Sequence, residues 1–186
     1  MLSLATVCLA QQVPSWEIFG GYSFQRADMR EYFKTTPIIY TFRHHYVNMN
    51  GFEISTTENL NRWFGGTLDF SAHFKTPQVR GISNSEHIYS IFYGPRFAYR
   101  KSSVVTLFAH ALVGGTHTGV SVEPTGPHAS DFTLAVALGG GLDLNFSKSA
   151  AIRVLQADYL RTDALGINQN NYRLSTGVAF HLGKTK

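Results

Sequence analysis

Five carboxylates and two guanidiniums fall where an extended strand would turn them all to one face: Glu17, Glu53, Asp69, Asp143, Asp158, Arg96 and Arg173. Each has apolar neighbours on both sides. Glu17 lies between Trp16 and Ile18, Glu53 between Phe52 and Ile54, and Asp69 between Leu68 and Phe70. Arg96 lies between Pro95 and Phe97, Asp143 between Leu142 and Leu144, and Arg173 between Tyr172 and Leu174. Charges enclosed on such a face persist only when paired, and a guanidinium fork accepts two carboxylates at once. The pattern therefore predicts a buried polar network in which Arg96 bonds two or more acids, with Glu53 and Asp143 as its partners and His110 beside it. The same groups could instead line a path for ions or protons. Paired acids also serve glycoside hydrolysis, but that chemistry needs a sugar-sized cleft.

Other reactive residues form weaker patterns. His128-Ala129-Ser130 with Asp131 suggests a nucleophile and base, yet it follows PTGP in a turn, and adjacent strand residues point to opposite faces. The eight His show no metal-binding spacing, and His44-His45 is an isolated pair. The segment 26–48 mixes Arg26, Arg30, Lys34 and Arg43 with five aromatics. It could grip the phosphates of lipopolysaccharide, or it could be a plain continuation of two strands with IIYTF (38–42) in the ladder. A net charge of +4 with scattered basic residues and no base-reading motif argues against nucleic acid. No cofactor motif is present, and the expectation is a chain without catalytic residues.

The elements that must position these groups are strands. In NRWFGGTLDFSAHF (61–74) every second residue from Phe64 to Phe74 is apolar or small, and Thr67, Asp69, Ser71 and His73 fall between them. A period of two makes one greasy and one polar face. Seven further segments behave alike: 15–24, 50–57, 87–100, 104–115, 131–146, 151–162 and 172–182. Several exceed the five or six residues usual in soluble sheets and match the 9–11 of transmembrane strands. Charged residues make up only 15% of the 186, and no apolar run is long enough for a membrane-spanning helix.

The links between strands alternate strictly. ENLN (58–61), KSS (101–103) and SKSA (147–150) are tight turns, whereas 26–48, 75–86, 116–130 and 163–171 are long. All short turns then lie at one end of a barrel and all long loops at the other, as in outer-membrane barrels. Phe64 and Phe74, like Tyr89 and Tyr99, stand ten residues apart. At a tilt near 45° that spans roughly 23 Å, close to the ~25 Å apolar band between two aromatic girdles. Trp16, Phe146 and Phe180 join the lower ring; Phe24, Tyr159 and Tyr172 join the upper. On this reading the greasy face points out and the polar face lines the lumen. In the strand 151–162, Leu155, Ala157 and Tyr159 are expected outside, against Val154, Gln156 and Asp158. Arg153 and Arg161 are then outer-face charges near the two strand ends, where they can snorkel. The expected fold is all-β: an eight-stranded antiparallel up-and-down transmembrane β-barrel.

Residues 1–10 (MLSLATVCLA) read as the apolar centre and cleavage site of a secretory signal without its basic front end, either a signal whose true start lies upstream or a weak one, leaving 11–186 as the barrel domain. FGGYSF (19–24), NGFEISTTENLNRWFG (50–65), DFSAHF (69–74), FYGPRFAYR (92–100), GGGLDLNF (139–146) and QADYL (156–160) resemble the small eight-stranded outer-membrane barrels of the OmpA/OmpX type in Gram-negative bacteria. The resemblance implies residence in the cell outer membrane, contact with its lipid and lipopolysaccharide, and insertion by the barrel-assembly machinery. The expected protein is a monomer with a plugged lumen and a structural or surface-interaction role. Its rivals are a narrow pore, a lipid-modifying barrel enzyme and a soluble lipocalin-like carrier. Two features depart from the family pattern: Phe180 is followed by HLGKTK, and no segment of the 186 residues reads as a peptidoglycan-binding domain, so tethering to the cell wall is not expected.

Overall fold

The computed structural model describes residues 13–34, 40–75, 78–79, 82–100, 102–122, 128–164 and 167–184. They form β1 (Trp16–Lys34), β2 (Tyr40–Asn59), β3 (Phe64–Lys75), β4 (Gln78–Val79), β5 (Ile82–Tyr99), β6 (Val105–Val122), β7 (His128–Asn145), β8 (Ala150–Ala164) and β9 (Ile167–Leu182). The order β3-β2-β1-β9-β8-β7-β6-β5 closes on itself through antiparallel pairing of β3 with β5, from Phe64 against Phe97 to Lys75 against Glu86. β4 adds two residues to the end of β5. Eight long strands thus make a barrel without open edges along its wall.

The tight turns are stitched by their own polar side chains. Asn61 Oδ1 accepts from the backbone N–H groups of Trp63 and Phe64, both at 2.9 Å. Ser102 Oγ accepts from the Val104 N–H at 3.1 Å, and Ser147 Oγ from the Ser149 N–H at 3.2 Å. Such local bonds replace the ladder where the chain must reverse. At the opposite end, most of what reads as long loop is ladder. Residues 27–34 of β1 pair with 40–47 of β2, and β6 pairs β7 out to Ser121 and His128. The described parts of the first long segment, 26–34 and 40–48, are therefore a two-stranded ribbon that continues the two strands. β1 pairs β9 only as far as Arg26 opposite Tyr172, so the ribbon rises beyond its neighbour.

The barrel is apolar outside and charged inside. Leu134 is 75% exposed and Val113 64%, whereas Arg173 is fully buried. Trp63 stacks on Phe97 at 6.1 Å at the turn end, while Phe74 meets Tyr89 edge-on at 5.8 Å toward the other end. In water this arrangement would forfeit the hydrophobic driving force; in lipid it is the favourable one.

The strand β8 corrects one expectation. Arg153 faces the lumen and is buried, while Val154 and Leu155 both face outward. A β-bulge places Leu142 opposite Leu155 and Asp143 opposite Arg153, and the register with β9 shifts between Arg153 and Gln156. One extra residue inverts the alternation on either side of it. The adjacent apolar pair Val154-Leu155 was the visible sign that strict alternation fails there. Arg161, beyond the bulge, faces outward as expected.

Candidate functional site

All seven residues singled out on the polar face, Glu17, Glu53, Asp69, Arg96, Asp143, Asp158 and Arg173, are buried in the lumen. They divide into two clusters.

The lower cluster lies toward the tight turns. Arg96 Nη1 donates to Glu17 Oε2 at 2.6 Å, and its Nη2 to Asp143 Oδ2 at 3.3 Å. Arg153 grips the same Asp143 as a fork, Nε to Oδ1 at 2.9 Å and Nη2 to Oδ2 at 3.2 Å. Arg100 Nη2 holds the other oxygen of Glu17, which also accepts from Asn59 Nδ2 at 2.9 Å. The Phe108 ring meets two guanidiniums, with Arg96 Cζ at 4.2 Å and Arg153 Cζ at 4.4 Å from its centroid. Such cation–π contact compensates planar cations for part of their lost hydration.

The upper cluster is built around one cation. Arg173 Nη1 donates to Asp69 Oδ1 at 2.8 Å and its Nη2 to Asp69 Oδ2 at 3.2 Å. The same side chain reaches Asp158 Oδ2 through Nε at 2.9 Å and lies 3.4 Å from Glu53 Oε2. Ser175 Oγ donates to Glu53 Oε2 at 2.6 Å, and Ser71 Oγ accepts from Arg173 at 3.0 Å. His110 Nε2 bonds Asp158 Oδ1 at 2.8 Å. That contact depends on Gly139, which sits between them in the ladder: a Cβ there would lie 1.9 Å from Asp158 Oδ1. Gln156 joins the clusters. Its Nε2 donates to Glu53 and Asp158, both at 2.8 Å, and its Oε1 accepts from Arg153 Nη1 at 2.7 Å.

Arg96 thus takes two carboxylates, but they are Glu17 and Asp143; Glu53 belongs to Arg173. Equal counts from the turns do not make neighbours in a sheared barrel. The ladders set Arg96 beside Gly65, and Gly65 beside Asn59, six residues along β2 from Glu53. At ~3.3 Å per residue that is roughly 20 Å of strand. Sequence reasoning missed Arg153 through the bulge. It also passed over Arg100, which shares the inward parity of Arg96 but falls at the turn.

Around the charges the lumen is packed. Phe92, Leu112, Ala135, Ala137 and Leu160 fill the side formed by β5 to β8. Ala27, Val47, Met49 and Ile88 make a separate apolar cluster where the ribbon begins. At the turn end a vestibule of about 780 Å³ reaches in to Glu17, Arg100 and Asp143. Among the described residues no group of three or more His, Cys, Asp and Glu could hold a metal ion. Ser130 and Asp131 are exposed, and the side chains of His128 and Ala129 lie outside the described set. Of the basic residues in the first long segment, Arg26 is exposed, with Cζ 4.6 Å from the Tyr46 ring centroid. Arg30, Lys34 and Arg43 lie on the ribbon, with side chains outside the described set, and residues 1–10 fall wholly outside the described residues.

No family model and no curated protein matches the sequence. Solved structures do match the fold. Neisserial surface protein A superposes with a TM-score of 0.69 at 13% identity, covering 90% of this chain and 97% of that one. Ail, the attachment invasion locus protein of Yersinia pestis, in complex with the heparin analogue sucrose octasulfate, gives 0.61 at 20% identity over 90% and 99%. The outer-membrane protein OprG of Pseudomonas aeruginosa gives 0.56 at 10% identity over 93% and 98%. The chain has the eight-stranded antiparallel fold of small outer-membrane barrels.

Proposed function

We propose that this protein is a monomeric, non-enzymatic barrel of the bacterial outer membrane, closed to ion flow, whose lumen serves stability and whose ribbon end serves contact at the cell surface. The observation that carries this reading is the stacking of the two salt-bridged clusters across the lumen. Arg96 and Arg153 meet in the lower one and Arg173 spans the upper, reaching from β9 to Asp69 on β3. An eight-stranded barrel has room for packed side chains and little besides. Breaking such pairs to admit ions would strand charges in a low-dielectric interior.

The rival with a specific observation in its favour is a narrow pore, since the vestibule brings solvent to the lower cluster. Planar-bilayer recording separates the two: the plugged barrel gives no discrete conductance steps, and reproducible steps abolished by a lumen substitution would establish the pore. The basic residues of segment 26–48 make an anionic surface partner the natural one, and the sulfated ligand seen with Ail is of that class. Membrane residence has its own test. The folded barrel should resist detergent without boiling and migrate differently on a gel from the boiled form.

A further inference from the structure

The floor of the turn-end vestibule carries more cation than anion. Three guanidiniums, Arg96, Arg100 and Arg153, meet there against two carboxylates, Glu17 and Asp143. One positive charge is left without a carboxylate, and Arg96 keeps a buried Nε with no hydrogen-bond partner among the described residues. The walls add cations and no further acid, since Glu17 and Asp143 are the acidic side chains that line the space. Lys148 in the turn between β7 and β8 and Lys184 just after β9 both line it and are exposed. Among the described residues no carboxylate pairs with either. Gly183 brings Lys184 there: it takes φ 68°, a left-handed conformation suited to glycine, and a Cβ on it would lie 3.2 Å from Ser15 Oγ. His181 stands opposite Glu17 in the ladder and faces the same space. Ser147 and Ser149 contribute hydroxyls that donate to no acceptor among the described residues. At about 780 Å³ the vestibule is within the range of small-molecule sites, roughly 300–1,000 Å³.

We infer that this vestibule binds a small organic phosphate, of the size of a hexose phosphate, entering from the turn end. A phosphate monoester carries about −1.5 to −2 charge at pH 7, which the two rim ammoniums match. Lysine holds a phosphate as a mobile point charge with three donors, and it needs no fixed geometry to do so. Arg100 acts through its field rather than by contact, because its guanidinium is committed to Glu17, Asn59 and the Arg62 carbonyl. A cleft lined by one sign of charge concentrates the opposite ion within it. The serine hydroxyls can both donate to and accept from sugar hydroxyls, which favours a sugar ester over the bare ion. The binding stands on the vestibule alone. That the ligand arrives from the periplasm rests on the outer-membrane reading, in which the short turns face that side.

The test titrates glucose 6-phosphate, glucose and inorganic phosphate by calorimetry into three barrels purified in one detergent. They are the wild type, Lys148→Gln/Lys184→Gln, and a control with the same charge change at the ribbon end, Lys34→Gln/Arg43→Gln. Each is first checked for the unboiled band shift, which shows that it is folded. Wild type and control should bind glucose 6-phosphate alike, and the vestibule variant about tenfold or more weakly, as expected for lost charge-assisted contacts. Glucose should not bind, and inorganic phosphate should bind the wild type more weakly than the ester. Equal affinity in the vestibule variant, loss of affinity in the ribbon control, or no binding by the wild type would overturn the site. Inorganic phosphate held as tightly as the ester would overturn the sugar ligand and leave an adventitious ion only. Absence of the band shift in the wild type would defeat the membrane reading, while the titration would still decide the site.

Discussion

The two charge clusters use the same groups in opposite proportions. In the lower one three guanidiniums, Arg96, Arg100 and Arg153, face two carboxylates, Glu17 and Asp143. Each acid there is held by two cations. In the upper one a single guanidinium, Arg173, is shared by Asp69, Asp158 and Glu53, with His110 on the far side of Asp158. The lower cluster is redundant; the upper one hangs on one side chain. The energetic lesson is that a buried ion pair matters most for what its loss would leave behind.

The largest effect should follow from Arg173→Ala. It strands three carboxylates in the lumen, and leaving buried charge uncompensated typically costs about 3–5 kcal/mol. The urea midpoint of the refolded barrel should fall accordingly, with partial recovery in Arg173→Ala/Asp69→Asn. A midpoint equal to wild type would mean that water already solvates the upper cluster, and the contrast between the clusters would collapse.

Arg96→Ala should cost less, about 1.5–3 kcal/mol for charged hydrogen bonds, because Arg100 still holds Glu17 and Arg153 still holds Asp143. Adding Glu17→Gln should deepen that loss, because it takes from the buried Arg100 its carboxylate partner, whereas adding Glu53→Ala should recover none of it. Recovery by the Glu53 substitution would show the clusters to be one network.

A smaller loss, about 1–3 kcal/mol, is expected for Gly139→Ala, which forces Asp158 off His110. Gly20→Ala is its control: nothing lies within 4 Å of the added carbon, and the same measurement should leave the midpoint unchanged. Equal loss at both positions would point to strand flexibility rather than to the His110–Asp158 contact.

The smallest effect tests separation. Glu17→Gln and Asp69→Asn should add within about 0.5 kcal/mol, since they share no partner. Combined with Gln156→Leu, any residual coupling should vanish, because that side chain bridges Arg153 to Glu53. A coupling well above that threshold surviving the Gln156 change would reveal a second link.

Much of this was legible in the residues. Alternation in stretches such as 64–74 fixes which side chains share a face, because the strand period is two and needs no tertiary information. The spacing of short and long links fixes up-and-down order, and ten-residue aromatic spacing fixes the height of the apolar belt. These are local or nearly local quantities, so the eight-stranded barrel and its inward charges follow from the chain alone. Three things did not follow. Whether a segment such as 26–48 is loop or ladder depends on pairing between strands, and its mixed composition suits either. The bulge at Val154 is likewise decided by how β8 registers against both β7 and β9, and it carries Arg153 from the wall into the lumen.

Partner choice inside the barrel lay furthest from the sequence. Glu53 and Arg96 occupy matching positions above their turns, yet they belong to different clusters. Shear between strands sets heights in the lumen, and shear is a property of the closed sheet. The sequence by itself determined which side chains face inward and that their charges must be paired. Only closure of the barrel decided which carboxylate meets which guanidinium, because those contacts join residues as distant as Asp69 and Arg173 across a space that does not exist until the last strand pairs with the first.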